Sequence, residues 1–215
     1  MVTAARGVAS RSTARRDAIV GVAMTHFSER PYEDVFIADI CREAGVAHGL
    51  VSYYFGGKKG LFAAAVKQAW QEMLDHERPT DLEVAASDRV RGYIRRHFEY
   101  VEQHPKRFTV LMHSTSADPQ IREVAQTAQG TALMELMSTL GCPINPPPKL
   151  RLAIMGWAGF LDRATMDWLL HDKPTMDEVA EMCRETLVLV IRVANGVRFD
   201  EMTDEQALLQ VSRLD

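Results

Sequence analysis

Histidine and cysteine are the residue types in this 215-residue chain best suited to bind a metal or transfer a proton. The most closely spaced histidines, His97, His104 and His113, occur in neither the HExxH nor the HxxxE pattern of a metal or acid-base site. No GxSxG, GxxxxGK or GxGxxG motif accompanies them. We therefore predict no catalytic site, no metal site and no cofactor.

The three cysteines, Cys41, Cys142 and Cys183, form no CxxC pair and are too few for a disulfide framework. We interpret them as small buried hydrophobic residues in a reducing compartment. No apolar run approaches the roughly 20 residues of a membrane span, and the first 20 residues lack the apolar segment of a secretory signal. We expect a folded cytoplasmic protein that has no membrane partner.

Charge is distributed unevenly along the chain, whose net charge is −4. Residues 1–70 carry a net charge of +3 and residues 71–215 a net charge of −7. An N-terminal part that can approach polyanionic phosphate is therefore joined to a larger part that phosphate would repel.

Hydrophobic residues recur at helical spacing in almost every long segment, and this pattern predicts an all-α fold. The first helix is predicted to start at Ser12 or Thr13, either of which can cap it, and to end near Glu29. Two short helices follow within residues 36–55, separated where Gly45 ends the first of them. Later helices are predicted from 58 to before Pro79, over 84–103, 105–112, 119–140, 149–171 and 175–195, and after Gly196.

The two short helices have the spacing of a helix-turn-helix, whose second helix enters the major groove of DNA. Many helical hairpins in ordinary bundles share this spacing, so the pattern alone leaves both possibilities open. The longer run IADICREAGVAHGLVSYYFGGKKGLFAAAV is more informative. It resembles the DNA-binding signature of the tetracycline-repressor (TetR) family of bacterial transcription regulators. The matching residues are Ile37, Ala38, Ile40, Ala44, Gly45, Val46, Tyr53, Phe55, Lys58, Leu61 and Phe62.

This resemblance covers residues 12–73 and implies an all-α chain of two domains. Residues 13–73 would form a three-helix DNA-binding domain, and residues 74–215 a larger helical domain for effector binding and dimerisation. The resemblance also implies that Tyr53 and Lys58 contact the phosphate backbone, which affects affinity more than sequence choice.

The recognition helix would read bases and adjacent backbone through its exposed residues. Leu50 can meet a thymine methyl group, and His48 or Ser52 can hydrogen-bond to a base edge. Gly49 either lets the backbone approach DNA or simply saves space. Ala47 replaces the Ser or Thr that often caps this helix, at a cost of about 1 kcal/mol. The predicted DNA-binding residues are Ala47, His48, Gly49, Leu50, Ser52, Tyr53, Tyr54, which stands where many family members have His, and Lys58.

Four N-terminal arginines, Arg6, Arg11, Arg15 and Arg16, form either a disordered tail or an arm that reaches phosphate or the minor groove. Elsewhere, two apolar stripes are candidates for a dimer interface, which the resemblance places on the last two long helices. The alternative is that both stripes belong to the monomer core. They are Trp157, Phe160, Leu161, Ala164 and Trp168, and Met176, Ala180, Cys183, Leu187, Val190 and Ala194.

The middle helices are expected to enclose a pocket for a small apolar or amphipathic effector. Each of its candidate residues can equally be structural. They are Tyr93, Phe98, Met112, His113, Trp157, Phe160 and Arg163. The hypothesis is a homodimeric regulator, by resemblance more often a repressor, that an effector releases from an inverted-repeat operator in double-stranded DNA. The alternative is a dimeric helical interaction module that does not bind DNA.

Overall fold

The computed structural model describes residues 2–113, 119–171, 174–196 and 203–211, with the backbone alone for residues 2–11, 120, 210 and 211. Regular structure within these ranges is helical, as predicted, and none of the helices there is long and apolar enough to cross a membrane. A 3₁₀ turn covers Tyr32–Asp34. The helices are α1 (Val2–Glu29), α2 (Ile37–Glu43), α3 (Gly49–Phe55), α4 (Lys58–Glu77), α5 (Ala86–Gln103), α6 (Pro105–His113), α7 (Pro119–Thr139), α8 (Pro148–Trp168), α9 (Met176–Asn195) and α10 (Asp204–Val211).

Helix α1 begins at Val2, so its predicted start at Ser12 or Thr13 is wrong. The preceding segment VTAARGVAS contains no proline and is rich in alanine, so nothing in it stops the helix. The side chains of Arg6 and Arg11 lie outside the described residues, whereas Arg15 and Arg16 are exposed. The ends of the later helices differ from the predicted ones by a few residues, as is usual for helix termini.

The backbone divides into two compact units. The first contains Met1–Gln71 and Lys106–Ala128, and the second contains Glu72–Pro105 and Gln129–Asp215. Helices α2 and α3 lie wholly in the first unit, and α5, α8, α9 and α10 lie wholly in the second. The functional division after residue 73 stays a prediction.

The core of the first unit is built on the apolar face of α1, where Ile19, Ala23 and Phe27 are buried. The Phe27 ring meets the Phe62 ring of α4 edge-on, with 4.7 Å between centroids. Gly45 ends α2 with φ +65°, the left-handed conformation predicted for it. A short turn thus brings α3 back beside α2.

The second unit is built around the pair α8 and α9, which pack together along their lengths. The Trp157 indole Nε1 donates a hydrogen bond to the Cys183 carbonyl oxygen at 2.8 Å, which fixes α8 against α9. Burial raises the pKa of the Cys183 thiol to about 12, so this cysteine is an inert core residue. Cys41 is also buried, as predicted, and Cys142 is partly buried.

Helix α10 closes the second unit by capping α5. The Glu205 carboxylate accepts hydrogen bonds from the backbone amides of Ala86 at 3.2 Å and Ser87 at 3.0 Å. These are first-turn amides of α5, which have no partner within the helix. Asp204 bonds to Arg184 and Arg192 of α9 at 3.0 and 2.9 Å. Helix α10 therefore fastens the start of α5 to α9.

Candidate nucleic-acid interface

Helices α2 and α3 form the predicted helix-turn-helix. The Val46 amide donates to the Cys41 carbonyl at 3.0 Å, which closes the turn between them. Val51 is completely buried and anchors the inner side of α3. The N-cap position of α3 is His48 and not Ala47, the position considered from the sequence, and its side chain makes no capping hydrogen bond. The outer side of α3 is consequently free for a partner.

The residues predicted to read bases lie on that outer side. Ala47, His48, Gly49 and Ser52 are exposed, and Leu50 is partly buried. A Cβ atom added to Gly49 would meet nothing within 4 Å. Packing inside the chain therefore gives no reason for glycine here, which favours close backbone approach by a partner over saving of space.

Tyr53 and Tyr54 are neighbours in sequence but face different surroundings. The Tyr53 side chain is exposed, at 79% of its residue maximum, so its hydroxyl can reach an external phosphate. Tyr54 is partly buried, and its hydroxyl is 3.0 Å from Ser12 Oγ of α1. One turn further along α1, the Arg16 guanidinium lies over the Phe55 ring, 5.2 Å from its centroid.

Lys58 begins α4 beside the 3₁₀ turn. Its Nζ donates to the Glu33 carbonyl oxygen at 3.2 Å and lies 4.5 Å from the centroid of the Tyr32 ring. Neither of these contacts is with a carboxylate, so neither prevents the ammonium from pairing with an anion such as a DNA phosphate. Two residues later, a Cβ on Gly60 would overlap the Phe55 carbonyl oxygen at the end of α3. Glycine is therefore required for the close approach of α3 and α4.

Sequence reasoning missed these supporting residues for an identifiable reason. Ser12 and Arg16 are four positions apart, a spacing that predicts one helix face, but nothing in the sequence pairs that face with α3. His26 was missed in the same way: its Nε2 lies 2.8 Å from Glu43 Oε2 and joins α1 to α2. These contacts join α1 to the helix-turn-helix and leave the outer side of α3 exposed.

The predicted effector-pocket residues do not all come together. Tyr93, Phe98 and Trp157 are buried in one core of the second unit, and Phe160 packs against it. Arg163 is exposed. Met112 and His113 belong to the first unit, where Met112 is partly buried and His113 exposed.

A groove of about 220 Å³ lies elsewhere in the second unit, between α5 and α9. Both apolar and charged residues line it, and none of the predicted pocket residues is among them. Its volume is below the roughly 300 Å³ at which small-molecule sites usually begin. The lining residues are Arg91, Ile94, Arg95, Met176, Asp177, Ala180, Glu181 and Arg184.

A buried polar cluster lies in the second unit and was not predicted as a group. His97 Nδ1 is 2.8 Å from Glu77 Oε1, and His97 Nε2 is 3.1 Å from Thr165 Oγ1. This chain of carboxylate, imidazole and hydroxyl has the order of a catalytic triad. All three residues are at most 2% exposed, so a substrate cannot reach the hydroxyl, and the chain serves to tie α4, α5 and α8 together.

Two further ionisable groups adjoin this cluster. The pKa of Asp162 is raised to about 6, mainly by burial; His97 partly opposes this rise, and the Glu77 carboxylate adds a smaller contribution to it. Burial, together with the Glu77 and Asp162 carboxylates, also raises the pKa of Tyr93 well above its ordinary value. Asp162 is therefore a carboxylate that the fold accommodates at an electrostatic cost.

The predicted dimer stripes prove to be mainly core. Trp157 and Leu161 on α8, and Cys183 and Leu187 on α9, are at most 2% exposed, so they are unavailable to a partner. The opposite faces of the same two helices carry large exposed apolar side chains. These are Leu152 and Met155 on α8, and Met182, Leu189 and Val193 on α9.

Comparison with known proteins gives a consistent result. The model of the family described as "Bacterial regulatory proteins, tetR family" matches residues 19–65. The HTH-type transcriptional regulator BetI of Stenotrophomonas maltophilia is 26% identical over 153 residues, which cover 69% of this chain and 78% of that relative.

Two solved structures share the fold over most of their length. A tetR-family transcriptional regulator from Streptomyces coelicolor aligns with a TM-score of 0.72 at 24% identity, covering 94% of this chain and 90% of its own. The transcriptional regulator FadR from Bacillus subtilis, solved in complex with stearoyl-CoA, aligns with a TM-score of 0.62 at 19% identity, covering 84% of this chain and 98% of its own.

Proposed function

The chain belongs to the tetR family of bacterial regulatory proteins and is a DNA-binding transcriptional regulator; from this premise we propose that it is a homodimeric repressor. It binds an inverted-repeat operator in the cytoplasm and is released from it by a small apolar or amphipathic effector. The observation that carries the DNA-binding role is the exposed outer side of α3, from Ala47 to Tyr53, beside the Lys58 ammonium.

The residues on and beside α3 divide their roles by position. Tyr53 and Lys58 bind phosphates, because the Tyr53 hydroxyl is exposed and the contacts of the Lys58 ammonium with the described residues are uncharged. His48 and Ser52 hydrogen-bond to base edges, and Leu50 meets a thymine methyl group. Ala47 and Gly49 let the helix approach the groove closely.

The dimer forms through the exposed faces of α8 and α9, and a second copy of this chain covers them. Leu152, Met155 and Val193 supply apolar side chains there. Gly156 and Gly159 lie within α8, and added Cβ atoms would meet nothing within 4 Å. Each interior glycine costs about 1 kcal/mol relative to alanine, and close approach of a partner helix accounts for that cost. A dimer also supplies two helix-turn-helix units, one for each half of an inverted repeat.

The effector site lies in the second unit, around the part of the core that contains Tyr93, Phe98 and Trp157, with Phe160 at its edge. The stearoyl-CoA bound to the FadR of Bacillus subtilis supports an amphipathic ligand for this fold. The effector binds the released form of the dimer more tightly and lowers operator occupancy by population shift.

Selection of bound sites from random duplex DNA by the purified chain, at a stated salt concentration, tests the proposal. An enriched inverted repeat supports a dimeric regulator, and that repeat then becomes the probe for ligands. No enrichment by a folded chain would move the assignment to a helical interaction module.

The oligomeric state needs its own measurement. We expect Leu152→Glu to convert the dimer to a monomer in sedimentation experiments and to remove cooperative binding to the inverted repeat, because it places a charge within the proposed apolar interface. Leu82→Glu is the matched control, since Leu82 is 90% exposed and lies outside α8 and α9. A Leu152→Glu chain that stays dimeric contradicts this interface.

A further inference from the structure

The recognition helix has very little apolar anchorage of its own. Helix α3 contains seven residues, and Val51 is the only one of them that is buried. Leu50, Tyr54 and Phe55 are only partly buried, so the single fully buried side chain does not by itself fix the orientation of the helix. Its orientation therefore depends on contacts made at its edges and ends.

Two such contacts come from the N-terminal half of α1. Ser12 Oγ lies 3.0 Å from the Tyr54 hydroxyl, and the Arg16 guanidinium lies over the Phe55 ring at 5.2 Å. Ser12 and Arg16 are one turn apart on α1, and Tyr54 and Phe55 are adjacent at the end of α3. The two contacts together fix the end of α3 at two points.

The two tyrosines of α3 accordingly differ in what their hydroxyls can do. Tyr53 is exposed and has its hydroxyl free to face DNA. The Tyr54 hydroxyl is partly buried and already has a partner within the chain. An outward phosphate contact by Tyr54 would compete with its bond to Ser12.

We propose that Ser12 and Tyr54 are positioning residues for sequence recognition, acting through the hydroxyl pair that joins α1 to the end of α3. The inference rests on the proposed function and adds to it a part of the chain outside the helix-turn-helix. Base contacts require well-aligned hydrogen bonds, which weaken steeply with angle. Phosphate contacts come from longer, adaptable side chains and tolerate a small rotation of the helix. Loss of the pair should therefore reduce selectivity more than general affinity for DNA.

The test compares Tyr54→Phe, Ser12→Ala and the double variant, each at one salt concentration, by fluorescence anisotropy. The probes are the inverted repeat recovered by site selection and a shuffled duplex of the same composition. We expect each single variant to lose about fivefold in affinity for the repeat, the size of effect of one hydrogen bond, and less than twofold for the shuffled duplex. The double variant should lose no more than either single variant, because both substitutions remove the same bond.

Two controls separate this role from others. Ser28→Ala makes the same change on α1, at a hydroxyl that bonds only within its own helix, to the Thr25 carbonyl at 2.9 Å, and should leave both affinities unchanged. Tyr53→Phe should lower both affinities by similar factors, as expected of a phosphate contact. Thermal unfolding of every variant checks that the fold is retained; should Tyr54→Phe fail to fold, Ser12→Ala tests the same bond.

The outcomes are distinguishable. Unchanged affinities for both duplexes in Tyr54→Phe and Ser12→Ala would overturn the positioning role and leave the proposed function standing. Parallel loss on both duplexes would also overturn it and would identify Tyr54 as a phosphate contact. A wild-type chain that selects no site would refute the proposed function itself, and this inference with it.

Discussion

Replacing Asp162 by asparagine should stabilise the second unit at neutral pH and do little in acid. The Asp162 carboxyl lies beside the buried Glu77 and His97 side chains, and burial raises its pKa from 3.8 to about 6. Asparagine has nearly the same shape and carries no charge at any pH. Asp162 is partly buried, so the substitution removes the cost of a partly desolvated charge while keeping the packing of α8.

The size of the effect follows from the pKa difference. Between about pH 4 and pH 6 the folded chain holds a proton at Asp162 that the unfolded chain has lost, so the free energy of unfolding falls as pH rises. Above about pH 6 the free energy of unfolding falls no further from this group, because both states have then lost the proton. One pKa unit corresponds to 1.36 kcal/mol, so the full cost is about 3 kcal/mol. Asp162→Asn should thus gain about 3 kcal/mol at pH 7.5 and about 1 kcal/mol at pH 4.5.

Urea unfolding at both pH values, with the variants at equal concentration, measures these gains. Asp167→Asn on the same helix is the matched control, because the Asp167 side chain is 60% exposed; a change within about 0.5 kcal/mol is expected for it. The reasoning is refuted if Asp162→Asn has the same effect at both pH values, or if it destabilises the chain at pH 7.5.

Three further predictions concern the remaining parts of the structure. Gly60→Ala should destabilise the first unit by about 3 kcal/mol in thermal unfolding, because its Cβ overlaps the Phe55 carbonyl, whereas Gly49→Ala should raise stability by up to about 1 kcal/mol and still weaken binding to the operator. If Gly60→Ala and Gly49→Ala changed the unfolding temperature equally, the steric requirement for glycine at position 60 would be contradicted. Lys58→Ala should weaken binding to all duplexes alike and reduce the slope of log affinity against log salt by about 1; a change in sequence preference would argue against a phosphate contact. Glu205→Ala should cost about 1–2 kcal/mol in urea unfolding by leaving the first amides of α5 without their cap; an unchanged midpoint would show that water replaces it.

Local patterns were enough to predict the helix-turn-helix and the conformation of Gly45, because turn chemistry and spacing are encoded over a few residues. The start of α1 was mispredicted because Ser12 has the residue type of a helix cap, whereas in the structure the helix begins at Val2 and runs through Ser12. In the structure the Ser12 hydroxyl bonds to Tyr54 instead.

Contacts between distant residues could not be predicted in the same way. The position of Asp162 within an apolar stretch is visible in the sequence, but its proximity to Glu77 depends on how α4 and α8 pack. His97 lies on the same predicted helix face as Ile94 and Phe98, so the hydrophobic pattern could have predicted its burial. The pattern could not have predicted its partners Glu77 and Thr165. Helices α8 and α9 are apolar on two sides, and periodicity does not indicate which side faces the core and which is exposed.

The capping of α5 by Glu205 has a consequence for the chain while it is being synthesised. The Glu205 carboxylate that caps the first amides of α5 is synthesised 119 positions after Ala86. Until Glu205 is synthesised, the first amides of α5 in the nascent chain have no capping carboxylate. The chain also lacks Ala207 and Leu208 of α10, which are buried in the second unit. The second unit therefore completes late, and premature termination before residue 205 leaves an apolar surface that chaperones and proteases recognise.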